Sequence, residues 1–195
     1  NTDKAVVPFG GAKAYLGTNP IAFGFPTGEG KPVVLDMATS SIAYGKILHA
    51  ANTRTPIPAN CAVDKEGRPT TDPDQYCALL PFGGPKGYGL AMVVDIFTGI
   101  LTGSAFGPHV ASMYDHYSQK RKLGHFFGAI DISRFTETEE FLLSMDCLVQ
   151  EIHAVPPAEG FERVLMPGER ELENEAYRRE AGIPVMKRDY QYLVS

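Results

Sequence analysis

Two segments carry residue types suited to holding an anionic or phosphorylated ligand. In Gly83-Gly84-Pro85-Lys86-Gly87, small residues allow close backbone approach to a phosphate. The helix predicted to follow offers unpaired N–H groups and a positive dipole end, and Lys86 can neutralise charge or hydrogen-bond a ribose. The spacing is neither GxxxxGK[ST], since Tyr88 follows Gly87, nor GxGxxG, so taken alone the segment reads as a tight turn with an exposed lysine. In Asp36-Met37-Ala38-Thr39-Ser40-Ser41, a carboxylate at a strand end can accept hydrogen bonds from a ribose or a nicotinamide amide, and hydroxyls at a helix start suit phosphate. Ordinary helix capping by Asp36 or Thr39 accounts for the same residues. Arg121, in Gln119-Lys120-Arg121-Lys122, can clamp a substrate carboxylate bidentately, although a short basic run is by default a solvated surface.

Other reactive residues point to less. His49, His109, His116, His125 and His153 show no HxxxH or HExxH spacing, so no metal site is predicted. His116 stands beside Asp115, but adjacent residues do not share a helix face, and it reads as structural or exposed. Cys61, Cys77 and Cys147 form no CxxC pair and read as reduced thiols. Ser144 and Cys147 lie in an amphipathic helical pattern without a base or glycine elbow, which gives no nucleophile. Glu139-Glu140 and Glu169-Arg170-Glu171 belong to helix starts, where acids offset the dipole, and do not form a glycosidase pair.

The elements that must position these groups alternate loosely. Strands are predicted over 5–9, 21–25 and 32–36, the last two flanking the turn Thr27-Gly28-Glu29-Gly30 as a hairpin. A helix is expected to start at 37–41 ahead of Ile42, Ile47 and Leu48. Residues 53–81 are rich in turn formers, with one short strand at Cys61-Ala62-Val63. An apolar helix follows over 88–101, then a strand over 125–132. The capping box Thr136…Glu139 precedes Phe141, Leu142, Met145, Leu148, Val149 and Ile152, the cleanest amphipathic helix. A strand over 162–166, a turn at Pro167-Gly168 and a charged helix over 169–179 close the pattern.

With 195 residues, 44% of them apolar, the chain can bury a sizeable core. Its net charge of −5 and scattered basic residues disfavour a nucleic-acid partner. The apolar run over 90–101 is interrupted by Asp95 and too short for a bilayer, and no basic-plus-apolar leader opens the sequence; no membrane partner and a cytoplasmic location are expected. The first residue is Asn1, and a strand pattern begins almost at once, which reads as a chain starting mid-protein.

The order of segments says more than any one of them. Val6-Val7-Pro8-Phe9-Gly10-Gly11, Gly17-Thr18-Asn19-Pro20, the Asp36-Met37-Ala38-Thr39 junction, Gly45-Lys46, Thr70-Thr71-Asp72-Pro73, Gly84-Pro85-Lys86-Gly87-Tyr88-Gly89-Leu90 and Pro167-Gly168-Glu169 together resemble the type-2 malate/L-lactate dehydrogenase family. That resemblance implies an α+β (mixed α/β), non-Rossmann NAD(P)-binding fold with a large mixed or antiparallel sheet flanked by helices. It implies a nicotinamide cofactor (NAD, with NADP the alternative), a small 2-hydroxyacid or 2-oxoacid substrate, and a homodimer. By the same likeness Thr2, Asp36, Met37, Ala38, Thr39, Ser40, Lys86, Met166, Pro167 and Gly168 are cofactor contacts, and Arg121 touches the substrate or the cofactor's reactive end. Residues 1–150 would be the cofactor-binding domain with the central sheet, and 151–195 a C-terminal segment of strand, turn and exposed helices packing back on it.

Within the family, Ser112-Met113-Tyr114-Asp115, Arg121-Lys122-Leu123-Gly124 and Asp189-Tyr190-Gln191-Tyr192-Leu193 are most similar to the ureidoglycolate branch, which implies oxidation of ureidoglycolate to oxalurate with NAD. His125-Phe126-Phe127 fits the family at large better, which keeps malate, lactate, sulfolactate and imino acids open, as well as a non-catalytic binding domain. Family members carry their catalytic histidines ahead of the segment matching Asn1, so the expectation is that no catalytic acid/base lies in these 195 residues and that they are inactive alone.

Overall fold

The structure, a computed structural model, describes residues 1–113 and 118–195. The chain forms two compact units, Asn1–Ala22 with Asp36–Ile130, and Phe23–Leu35 with Asp131–Ser195.

Strands β1 (Ile21–Phe25) and β2 (Val33–Met37) pair with each other, as the hairpin pattern predicts. In the first unit, β3 (Ala62–Val63) pairs antiparallel with β4 (Ala78–Leu79), Ala62 opposite Leu79. The expected large sheet is therefore not formed: among the described residues there are two sheets of two strands each. Proline explains much of this, because it cannot donate to a ladder. Pro20 and Pro26 bracket β1, Pro32 precedes β2, and Pro81 follows β4 closely. The strand expected over 5–9 is reduced to bridges through Val6, which pairs antiparallel with Leu16 and parallel with Leu79, before Pro8 interrupts it. Val6 and Val7 nevertheless point into separate apolar clusters, Val6 with Leu16, Ile47, Ala62 and Leu79, Val7 with Val63 and Ala78, as alternation along extended chain requires.

Helix α1 (Tyr44–Thr53) begins later than predicted, with Ala43 at its N-cap and no side-chain cap. The 37–41 hydroxyls do not cap it, because their backbone is already committed: Thr39 N donates to Thr18 O (2.8 Å) and Ser41 N to Leu80 O (2.8 Å). Helix α2 (Pro85–Asp95) starts from Gly84, with Pro85 in its first turn, where a missing N–H costs nothing. It continues into one π-helical turn, Ile96–Ile100, which buries Thr98 and Gly99. Residues 125–131 form no strand and are exposed; extended chain without a partner strand makes no ladder.

In the second unit, helix α3 (Thr138–Ala154) has Glu137 at its N-cap position with no side-chain cap, and the predicted box does not form. Thr136 N still donates to Ile132 O (3.1 Å), so its residue belongs to the preceding turn. Residues 162–166 are also not a strand. Helix α4 (Glu169–Ala181) ends at Gly182 as read from the sequence, and α5 (Lys187–Val194) closes the chain. Asp146 on α3 accepts from Gly28 N (2.9 Å) and Glu29 N (3.3 Å), fastening the β1–β2 turn.

Candidate functional site

A cavity of about 790 Å³ opens in the first unit. Three residues singled out from the sequence, Thr2, Asp36 and Arg121, line it together. Asp36 sits at the end of β2, exposed, where a strand gives way to irregular chain.

Each is held by its own network. The Thr2 hydroxyl accepts from Thr18 N (2.9 Å) and lies 3.2 Å from the Thr18 hydroxyl, while Thr2 N donates to Asn19 Oδ1 (3.2 Å). Asn19 is fully buried and donates through Nδ2 to Ala91 O (2.9 Å), tying this corner to α2. The Arg121 guanidinium pairs with Asp3, Nη2 to Oδ1 at 2.9 Å, and its Nε reaches Ala111 O at 3.4 Å. The second oxygen of Asp3 accepts from Met113 N (3.2 Å). Arg121 is thus a half-buried, ion-paired side chain and not a solvated member of a basic run.

Behind the cavity wall lies Asp95, the acid that breaks the apolar run. It is buried and accepts from Asn1 Nδ2 (3.1 Å) and Gly107 N (2.9 Å). Asn1 in turn donates to Ala105 O (2.7 Å) and exchanges hydrogen bonds with Gly124, whose N–H reaches Asn1 Oδ1 at 3.1 Å. A side chain at Gly124 would run into the Thr98 carbonyl, so only glycine lets the chain pass here and deliver Leu123 and His125 to the cavity. Tyr44 and Tyr76, ring centroids 5.7 Å apart, form another part of the lining. Burial, with Tyr44 nearby, pushes the Tyr76 phenol well above its ordinary range, so it stays neutral.

The other expected contacts lie elsewhere. Thr39 is fully buried, its hydroxyl donating to Thr18 O (2.9 Å) and Asn19 O (3.1 Å), and the Ser40 hydroxyl donates to Ile42 O (2.9 Å). Met37 and Ala38 are half-buried. Lys86 is exposed in the first turn of α2 and does not line the cavity. The two glycine- and carboxylate-bearing segments are nonetheless joined: Phe82 N donates to Thr39 O (3.1 Å), and Ser40 bridges Pro81. Met166, Pro167 and Gly168 belong to the second unit, where Met166 and Pro167 line a smaller cavity of about 180 Å³ with His153 and Glu169. His116 and the Tyr114-Asp115 pair lie outside the described residues.

Sequence reasoning missed Asp3, His125 and the tyrosine pair. His125 carried a signal, since it follows Gly124 in a segment already marked; Asp3 carried none, because its partner is 118 residues away.

A family model described as malate/L-lactate dehydrogenase matches residues 1–194. The ureidoglycolate dehydrogenase (NAD(+)) of Escherichia coli strain K12 is 44% identical over 195 residues, covering 100% of this chain and 56% of that protein. The L-sulfolactate dehydrogenase of Methanocaldococcus jannaschii is 45% identical over 195 residues, covering 99% of this chain and 55% of that protein. A solved structure of sulfolactate dehydrogenase from the same organism superposes with a TM-score of 0.88 at 44% identity, covering 98% of this chain and 55% of that one. The chain spans about half the length of the curated relatives it matches. It belongs to the malate/L-lactate dehydrogenase family.

Proposed function

We propose that the chain supplies the cofactor-holding part of an NAD(P)-dependent dehydrogenase of small 2-hydroxyacids, with NAD as cofactor and ureidoglycolate as substrate. The observation that carries this reading is the convergence of Thr2, Asp36 and Arg121 on one cavity of about 790 Å³, within the roughly 300–1,000 Å³ of small-ligand sites.

The residues present fit a nicotinamide cofactor. Asp36 offers an exposed carboxylate to ribose hydroxyls or an amide, Thr2 a hydroxyl already oriented by Thr18, and Tyr44 and Tyr76 aromatic surface. The 36–40 junction, Lys86 and the Met166-Pro167-Gly168 turn are the further contacts that family likeness supports. When bound, the cofactor accepts the hydride that leaves the alcohol carbon. Arg121 binds the substrate carboxylate, and Asp3 keeps the guanidinium from turning away. What these residues contribute is orientation, which can lower a barrier by several kcal/mol (roughly 7–11 at most) once reactants are held in register.

The substrate reading is supported by the E. coli relative's name, which specifies ureidoglycolate and NAD(+). Sulfolactate is the second reading, because the relative of that name is equally similar and Lys4 lines the same cavity as Arg121, offering charge to a second acidic group. The protein is proposed to act as a cytoplasmic homodimer. Fluorescence titration of the chain with NADH and NADPH, followed by turnover of the full-length protein on ureidoglycolate, sulfolactate and malate, tests the proposal. Saturable binding of NADH and highest kcat/KM on ureidoglycolate are expected; absence of binding by either nucleotide would overturn it.

A further inference from the structure

Within the first unit, one carboxylate lies buried where α2 passes into its π-helical turn. Asp95 accepts from Asn1 Nδ2 (3.1 Å) through Oδ1 and from Gly107 N (2.9 Å) through Oδ2. It does not line the cavity, so it does not meet a ligand there. An acid at this place in an apolar helix is held against a desolvation cost that an apolar residue would not bear.

Asn1 passes the contact on to two further segments. Its Nδ2 also donates to Ala105 O (2.7 Å), its backbone N donates to Gly124 O (3.1 Å), and its Oδ1 accepts from Gly124 N (3.1 Å). Ala105 N in turn donates to Lys122 O (3.1 Å). Packing leaves this junction little slack: a side chain at Gly124 would displace the Thr98 carbonyl, and one at Gly99 would displace Ala105 O and crowd Asn1 Nδ2.

Both ends of the clamp are tethered here. Asp3 follows Asn1 in the same extended segment, Arg121 shortly precedes Gly124, and the Asp3–Arg121 pair at 2.9 Å closes the ring. Turning the Asn1 amide would therefore shift one end against the other. Thr2 is held separately, by Thr18 N and Asn19 Oδ1, so its hydroxyl does not depend on that ring.

We infer that Asp95 is a positioning residue for the substrate clamp: by fixing the Asn1 amide it sets the register of Asp3 against Arg121, and with it the direction in which the guanidinium faces the cavity. This rests on the reading of Arg121 as the group that binds the substrate carboxylate.

Asp95→Asn keeps the shape of the side chain but sets an amide NH2 against one of the two donors. Calorimetric titration of the chain with oxamate in the presence of NADH should show affinity falling roughly three- to tenfold, the scale of one hydrogen bond, while NADH affinity stays within about twofold. In the unliganded chain, hydrogen exchange at the Arg121 Nε–H, which is donated to Ala111 O, should quicken by a similar factor when followed by NMR. Asn1→Ala, which leaves the carboxylate in place and removes the link, should do the same and decides the matter if Asp95→Asn does not fold. Equal losses of NADH and oxamate affinity, or unchanged oxamate affinity and Arg121 exchange in both variants, would overturn the inference alone. No oxamate binding by the unaltered chain would overturn the reading of Arg121 as the clamp, and unchanged Arg121 exchange would then dispose of the positioning role as well.

Discussion

Arg121 gains its meaning from Asp3. A lone guanidinium in a basic stretch is solvated, but this one is fixed at 2.9 Å to a carboxylate that is itself held by Met113 N. Replacing Arg121 by Ala should weaken binding of the 2-oxoacid analogue oxamate by roughly 10- to 100-fold, the scale of a charge-assisted hydrogen bond. Arg121→Lys should recover only part, since an ammonium lacks the planar fork. Isothermal titration calorimetry in the presence of NADH would measure both. Glu169 makes a second prediction. Although burial favours its neutral form, the Met166 N–H and His153 hold its carboxyl below the ordinary range when folded, so its contribution to stability is present above the unfolded value and is lost as pH falls through the folded one. Glu169→Gln should therefore flatten the decline in melting temperature between about pH 5 and about pH 3. The sequence offered Arg121 as a candidate clamp, because guanidinium chemistry is local, but not its ion pair with Asp3, because pairing across 118 residues is a tertiary fact.

At the level of elements, the corner Gly17-Thr18-Asn19-Pro20 joins Thr2 to α2. Asn19 is fully buried, accepts from Thr2 N and donates to Ala91 O. Its φ of 36° is one that Asn tolerates better than most residues. Asn19→Ala should cost about 2–3 kcal/mol through two buried groups left unpaired, read as a fall in the urea midpoint, and should weaken NADH binding through Thr2. Helix α3 was readable from periodicity, and α4 from its charge and the stop at Gly182; α2 was readable as an apolar run, but it starts at Pro85, inside the segment read as a loop, and not at Tyr88. The start of α1 was not: Thr39 and Ser40 look like caps, but their hydroxyls are drawn to Thr18, Asn19 and Ile42. Nor was the π-helical turn after Asp95, which places Thr98 on the cavity wall while leaving the apolar pattern of the sequence unchanged.

For the whole molecule, mixed α and β content follows from composition and alternation, while the small extent of the sheets follows from which segments find partners. Val6 bridges to two segments, at Leu16 and Leu79, and the extended run stops at Pro8; residues 125–131 find no ladder at all. Helix α2 and its π turn also bury small or polar groups, Ala91, Asp95, Thr98 and Gly99, and leave Val93, Phe97, Ile100 and Leu101 exposed at 43%, 43%, 58% and 63%. Large apolar side chains exposed together in this way favour association. Sedimentation velocity at micromolar concentration should find association of the chain, and replacing Phe97 and Ile100 together by Ser should disperse it; a single monomeric boundary for the unaltered chain would contradict this.

The central claim is that Thr2 and Asp36 hold a nicotinamide dinucleotide in the cavity they share with Arg121. A crystal structure of the chain with NADH tests it most directly. The predicted result is cofactor density within hydrogen-bonding distance of the Asp36 carboxylate and the Thr2 hydroxyl; cofactor bound away from both, with that cavity filled only by solvent, would contradict the account.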